Sequence, residues 1–176
     1  MNQYSTSLTL IGMPGAGKST IGILLAKTLA KDFVDTDLLI QNQQGKRLQD
    51  IVDNNGYLEL RDIEEKVLLQ INHGNHIIAT GGSAVYSELA MHHLKTFGQI
   101  IFLDVPLIDL EKRINDFDTR GLARRADQSF TELFNERHTL YQKFADITID
   151  CTNKSPERII EEIIYQEAEE FGDKDA

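Results

Sequence analysis

Short apolar runs alternate with stretches of helical periodicity along the whole chain. Leu8, Leu10 and Ile11 form a run of strand length, and Ile21, Leu24 and Leu25 then share one face of a predicted helix over 20–29. Phe33, Val34 and Asp35 make a second, shorter run that ends in an acid. Helical patterns follow over 38–43, 48–54 and 58–71, and a third strand over 76–80 is stopped by Gly81 and Gly82. A helix over 87–94 leads into a fourth strand over 99–105. Helices over 107–115 and 128–144 flank a polar connection, and a last strand over 146–150 precedes a last helix over 156–169. Strands separated by helices predict an α/β protein with a parallel sheet covered on both faces. Ligands of such sheets bind at the carboxyl ends of the strands. Neither a repeat nor a linker interrupts the pattern, so one domain over 1–176 is expected, with an acidic tail over 167–176 that frays.

Composition narrows the function classes. At 176 residues, with 41% hydrophobic and 26% charged, the chain is long enough for a substantial core and too apolar to be disordered. Its net charge of −10 argues against nonspecific nucleic-acid binding, which depends on neutralising phosphates with Lys and Arg. An anionic ligand must therefore meet a local cluster of positive charge. Cys151 is the single cysteine, so it forms no internal disulfide and reads as a small buried hydrophobe. No basic segment precedes the first apolar run, and no apolar stretch has the length of a membrane span. A cytoplasmic, monomeric protein without a membrane partner is expected.

The chemistry begins between the first strand and the first helix. Gly12 to Ser19 fit G-x-x-x-x-G-K-[ST] without a mismatch, and strand and helix stand where the motif needs them. Glycines let successive backbone N–H groups curl inward as an anion nest, backed by the start of a helix. Gly15, Ala16, Gly17, Lys18, Ser19 and Thr20 are the predicted nucleotide-binding residues, with Lys18 reaching the β- and γ-phosphates and the Ser19 hydroxyl on Mg²⁺. Asp35 and Asp37 stand one residue apart past the second strand, where two carboxylates can assist Mg²⁺ and accept a proton from an attacking hydroxyl. A helix N-cap plus one solvated acid is the alternative there. Thr80-Gly81-Gly82-Ser83 offers free backbone N–H groups and close approach to a ligand.

Arginines supply the positive charge that an anionic ligand requires. Arg120, Arg124 and Arg125 crowd the polar connection, a candidate lid over 116–128 that would close on phosphates. Arg61 and Arg137 lie in predicted helices, and either can clamp a substrate carboxylate. The rival reading of Arg61 is a surface ion pair with Glu64 or Glu65 at helical spacing. The five histidines show no ligand spacing and read as surface or satisfied residues. Residues 152–155 are similar to the N-K-x-D of guanine recognition, but Pro156 stands at the acidic position, which disfavours a GTPase.

Collinear over about 8–156, the segments GMPGAGKST, DTD, LRDIEE, ATGGSAV, FLDVP, the arginine loop and ERHTLY resemble the shikimate kinase family. That resemblance implies a P-loop fold with a five-stranded parallel sheet in the order 2-3-1-4-5, a lid, and a substrate-binding helical segment over about 37–71. It implies transfer of the γ-phosphoryl group of ATP to the 3-hydroxyl of shikimate, a small hydroxy-carboxylate. Asp35 would assist Mg²⁺, Asp37 would bind the acceptor hydroxyl and act as base, and Arg61 and Arg137 would hold the carboxylate. Arg120 would contact phosphate from the lid, Arg113 would stack on adenine, and Asn153 is placed with the nucleotide-binding residues. Gly81, Gly82 and Ser83 would line the acceptor. Ser83 replaces a family glycine, Gly121 a lid proline, LELR lacks the usual aromatic and RHTLY the usual proline. Other hydroxyl acceptors, such as a sugar acid or homoserine, therefore stay open. A non-catalytic nucleotide-binding module is the alternative from another class.

Overall fold

Five strands, β1 (Ser7–Ile11), β2 (Asp32–Asp35), β3 (His76–Ala79), β4 (Gly98–Asp104) and β5 (Ile147–Asp150), form one sheet in a computed structural model. It describes residues 6–72, 74–113 and 122–172. The strand order is β2-β3-β1-β4-β5, the order that the family resemblance implies, and every pair is parallel, as the alternation of strands and helices predicts. The central strand β1 is buried along its whole length, the mark of a strand covered on both faces. Leu10 of β1 is in register with Ala79 of β3 and Ile101 of β4, so β1 and β3 end within one residue of each other beside the glycine loop while β4 runs on to Asp104.

Eight helices are described: α1 (Lys18–Leu29), α2 (Thr36–Gln44), α3 (Leu48–Asn55), α4 (Tyr57–Leu69), α5 (Glu88–Lys95), α6 (Leu107–Arg113), α7 (Phe130–Phe144) and α8 (Pro156–Gly172). Helices α1 and α8 pack on each other and on the sheet, while α4 packs on α5, and α5 and α7 pack on β4. The main core runs through Leu8, Leu10, Ile78, Ile101, Phe102 and Leu103. A second, smaller core joins α2, α3 and α4 through Ile40, Ile51, Leu60, Ile63 and Val67. Ala123, from the far side of the polar connection, is buried in that same core.

Several boundaries differ from the pattern-based expectation, each for a local reason. Helix α1 starts at Lys18 rather than 20, because Gly17 turns the chain with a φ of +95°. Helix α2 starts at Thr36, capped by the Asp35 carboxylate, which accepts from the N–H groups of Asp37 and Leu38. Helix α7 starts at Phe130, since Ser129 and Glu132 form a capping box. A 3₁₀ turn at Ala84–Tyr86, which the sequence reading lacks, joins the glycine pair to α5. The last helix continues to Gly172, so most of the tail expected to fray is helical. Among the described residues no helix is long and apolar enough to cross a membrane.

Candidate active site

Helix α1 presents an N-terminus with no side-chain cap and no acidic residue in its first turn. Its leading N–H groups and dipole are thus left for an anion from outside. Lys18 is buried, and its Nζ donates to the carbonyls of Gly12 (2.7 Å) and Met13 (3.0 Å), curling back across the loop. Burial lowers its pKa to about 8, against an upward pull from the Asp37 charge. The Ser19 hydroxyl donates to Asp35 Oδ2 at 2.6 Å. Asp35 Oδ1 accepts from the N–H groups of Asp37 (3.0 Å) and Leu38 (3.3 Å), so one carboxylate both caps α2 and ties it to the loop. The N-cap alternative is thus half right, because Asp37 is not a solvated acid. Burial raises its pKa, with Lys18 pulling it down and Asp35 adding to the rise.

A cavity of about 300 Å³ opens between this loop and the helical layer, lined by Lys18, Ser19, Asp37, Glu64, Ser83 and Arg137 among others. Its floor needs glycine. A Cβ on Gly81 would collide with Glu64 Oε1 and lie 2.8 Å from Asp37 Oδ1. One on Gly82 would lie 2.8 Å from Arg137 Nη1 and 2.8 Å from Pro14 Cδ. Tyr141 donates to the Gly82 carbonyl at 2.6 Å and holds the pair from behind.

Arg137 is 1% exposed, and its Nη2 donates to the carbonyl of Ala123 at 2.9 Å. Arg61 Nη2 donates to the same carbonyl oxygen at 3.1 Å. The two guanidinium groups, from α4 and α7, therefore converge on one oxygen atom. Both Nε atoms are buried with no hydrogen-bond partner among the described residues. Arg61 does not line the main cavity. It lines a second one of about 300 Å³ with Glu64, Ser83 and Tyr86. The surface ion pair with Glu64 or Glu65 is not formed, because Glu64 turns inward to accept from the Ser83 hydroxyl and Glu65 accepts from Ser87.

Glu64 is the site residue that sequence reasoning missed. It was available in the periodicity: Leu60, Ile63, Glu64, Val67 and Leu68 all lie on the buried face of α4. Desolvation, reinforced by the Asp37 charge, pushes its pKa up to about 7, while the Ser83 hydrogen bond resists the rise. Among the described residues its buried Oε1 has no hydrogen-bond partner. Between its ordinary 4.5 and about 7, the folded protein keeps a proton that the unfolded chain has released, so the contribution of Glu64 to stability is lost as pH rises through that window. Relative to Glu64→Gln, the unliganded wild type is expected to lose about 2 kcal/mol of stability between pH ~5 and ~7.5. Urea midpoints at the two pH values check this, and a pH-independent difference would mean that Glu64 is ionised throughout.

The remaining predicted residues fall as follows. Arg113 Nη1 reaches the Gly15 carbonyl at 3.4 Å, which sets the end of α6 over the glycine loop. Asn153 lies in the turn between β5 and α8 with a φ of +53°, exposed and outside the residues lining the cavity. Arg120 and Gly121, with the rest of 114–121, and His73 lie outside the described residues. Of the candidate lid, 122–128 is described: Ala123 is docked as above, Arg124 donates to the Gln128 carbonyl, and Arg125 lies 3.8 Å from Glu136. Cys151 is buried, with its thiol pushed up to about 12 by burial. His93 and His138 are satisfied by the Ile71 carbonyl and the Asp104 carboxylate.

A lysine-bearing glycine loop at the carboxyl edge of a parallel sheet, opening on a cavity that holds a buried arginine and buried carboxylates, defines a P-loop phosphotransferase. The sequence model of one family, shikimate kinase, matches residues 14–167. A shikimate kinase from Persephonella marina is 35% identical over 159 residues, which cover 90% of this chain and 96% of that protein. Among solved structures, shikimate kinase from Acinetobacter baumannii in complex with shikimate has a TM-score of 0.84 at 27% identity, covering 92% of both chains. Shikimate kinase from Aquifex aeolicus has a TM-score of 0.76 at 33% identity, covering 90% of this chain and 94% of that one. The chain belongs to the shikimate kinase family, phosphotransferases that use ATP and act on a hydroxyl group.

Proposed function

We infer that this protein phosphorylates shikimate with ATP, and that its acceptor site is built on Arg61, Arg137 and Asp37. The observation that carries the acceptor's chemistry is the convergence of two guanidinium groups on one carbonyl oxygen, that of Ala123. A neutral carbonyl is a weak partner for two cations, whereas a carboxylate oxygen there would make charge-assisted bonds to both. Shikimate, named in the complex of the Acinetobacter baumannii relative, is a small carboxylate that also bears hydroxyl groups. Asp37, on the cavity wall nearest Lys18, is the group we assign to the acceptor hydroxyl, which it orients and whose proton it takes.

Phosphates belong on the loop N–H groups of 15–20 and on Lys18, whose Nζ exchanges the Gly12 and Met13 carbonyls for phosphate oxygens. Arg113 is assigned to the nucleotide from its place over Gly15, and Arg120 to the phosphates from the lid. Ser19 and Asp35 fit Mg²⁺: they are hard oxygen donors 2.6 Å apart, and Mg²⁺ takes few protein ligands beside phosphate and water. Bound there, the ion would neutralise charge on the transferring group. The whole chain acts as one domain in this reading, with 37–71 as the acceptor-binding segment.

Arg61→Lys and Arg137→Lys test the acceptor assignment, since lysine keeps the charge and loses the planar fork. Each is expected to raise the KM for shikimate by about tenfold or more and leave the KM for ATP nearly unchanged. Steady-state kinetics with both substrates varied checks this. An unmoved shikimate KM in both variants would remove the carboxylate from the description of the acceptor.

A further inference from the structure

Two arginines at one spot repel each other, and a protein ordinarily offsets that with a carboxylate. Among the described residues neither Arg61 nor Arg137 has such a partner within ion-pair distance. A carboxylate would also occupy the in-plane N–H donors that a ligand needs. An aromatic ring offers another arrangement: its face attracts the cation from above and leaves the guanidinium edge free.

Tyr86 stands in that position. Its ring centroid lies 3.5 Å from Cζ of Arg61 and 5.5 Å from Cζ of Arg137, so one ring serves both cations. The ring is held at its far end, where the hydroxyl donates to Glu136, the residue before Arg137 in α7. Glu136 in turn accepts from Gln128 Nε2 at 2.8 Å and faces Arg125 at 3.8 Å. At its backbone end, Tyr86 closes the 3₁₀ turn that begins straight after Gly81-Gly82-Ser83, and Ser87 next to it caps α5. Tyr86 lines the second cavity beside Arg61 and is absent from the lining of the main one.

We propose that Tyr86 is a positioning residue for the acceptor's carboxylate, acting through Arg61 and Arg137. Its ring face balances the charge of Arg61 most closely and leaves that N–H edge for the ligand, while toward Arg137 the ring is joined by a contact from the Tyr86 hydroxyl. The inference rests on the clamp reading above. It also places control of acceptor affinity in a residue behind the clamp, tied through Glu136 and Gln128 to the base of the candidate lid.

Shape-preserving substitution separates the ring's electrostatics from its packing. The variant Tyr86→Phe keeps the face and loses the Glu136 anchor, and is expected to raise the shikimate KM by about threefold or less. Trifluoro- and then pentafluorophenylalanine at position 86 keep the shape but progressively drain the negative face. The shikimate KM is expected to climb along that series to about tenfold above the Phe variant, with the ATP KM and kcat at saturating shikimate within about twofold. A flat series would overturn the proposal, as would parallel changes in both KM values, which would point to packing alone. Arg61→Lys and Arg137→Lys are run beside it. If they too leave the shikimate KM unmoved, the clamp reading has failed. If they raise it and the fluorinated series is flat, only the role of Tyr86 has.

Discussion

Lys18→Ala is expected to lower kcat for phosphoryl transfer by about 10²–10³-fold or more, because in the proposed reading it removes the charge nearest the transferring group. The fold should survive: Lys18 opens a helix whose packing rests on Ile21, Gly22, Leu25 and Ala26, none of which depends on the ammonium group. The structure adds a second consequence. Nζ bridges the carbonyls of Gly12 and Met13, so alanine also leaves the Gly12 carbonyl without its side-chain donor and loosens the loop. The KM for ATP should therefore rise together with the fall in kcat. Lys18→Arg keeps a charge, but its larger head cannot sit in the same buried place and should rescue little. Single-turnover transfer at saturating ATP isolates the chemical step. Turnover within threefold of wild type in the alanine variant would remove Lys18 from the transition state.

Asp37→Asn should lower kcat by about 10²–10⁴-fold with nearly unchanged ATP binding, the range expected when a general base is lost. Two features of the site support a base rather than a metal ligand. Asp35, not Asp37, accepts the Ser19 hydroxyl, so in the proposed reading Ser19 and Asp35 already provide the oxygens for Mg²⁺. The Asp37 carboxyl is raised by burial and faces the cavity floor at Gly81, where an acceptor hydroxyl can lie. Asparagine keeps the shape and hydrogen-bonding reach but cannot take a proton. Equal losses in ATP affinity and in turnover would exchange the roles of the two aspartates. Measuring ATP binding by calorimetry beside single-turnover rates distinguishes the outcomes.

Legibility from sequence followed how local each feature is. The glycine loop was fully readable because its donors, its lysine and its helix start come from consecutive residues. Strand order followed once the family resemblance was seen, and the parallel sheet itself followed from the βα alternation. Asp35 shows the limit: from sequence, capping and metal binding competed, yet in the structure the same carboxylate caps α2 and reaches Ser19. Arg61 shows the opposite error. Its spacing to Glu64 and Glu65 suggests an ion pair, but α4 turns Glu64 inward toward Ser83, and Arg61 meets Ala123 and Tyr86 as well as the ring of Tyr57 one turn back. Nothing near Arg61 in the chain predicts the first two, which lie 62 residues away at Ala123 and on the turn after β3 at Tyr86.

By itself the sequence determined the elements, the phosphate loop and the kinds of side chain available at the strand ends. Those depend on periodicity and on neighbours a few residues apart, where backbone geometry sets what can meet. Tertiary packing alone decided which charges stand without a counterion among the described residues. Docking Ala123 into the small core of Ile40, Ile51 and Leu60 brings one carbonyl under two guanidinium groups, and the 3₁₀ turn sets Tyr86 beside both. The proposed acceptor site follows from those long-range contacts, because a buried charge takes its chemistry from whatever the fold places, or leaves out, within a few ångströms of it.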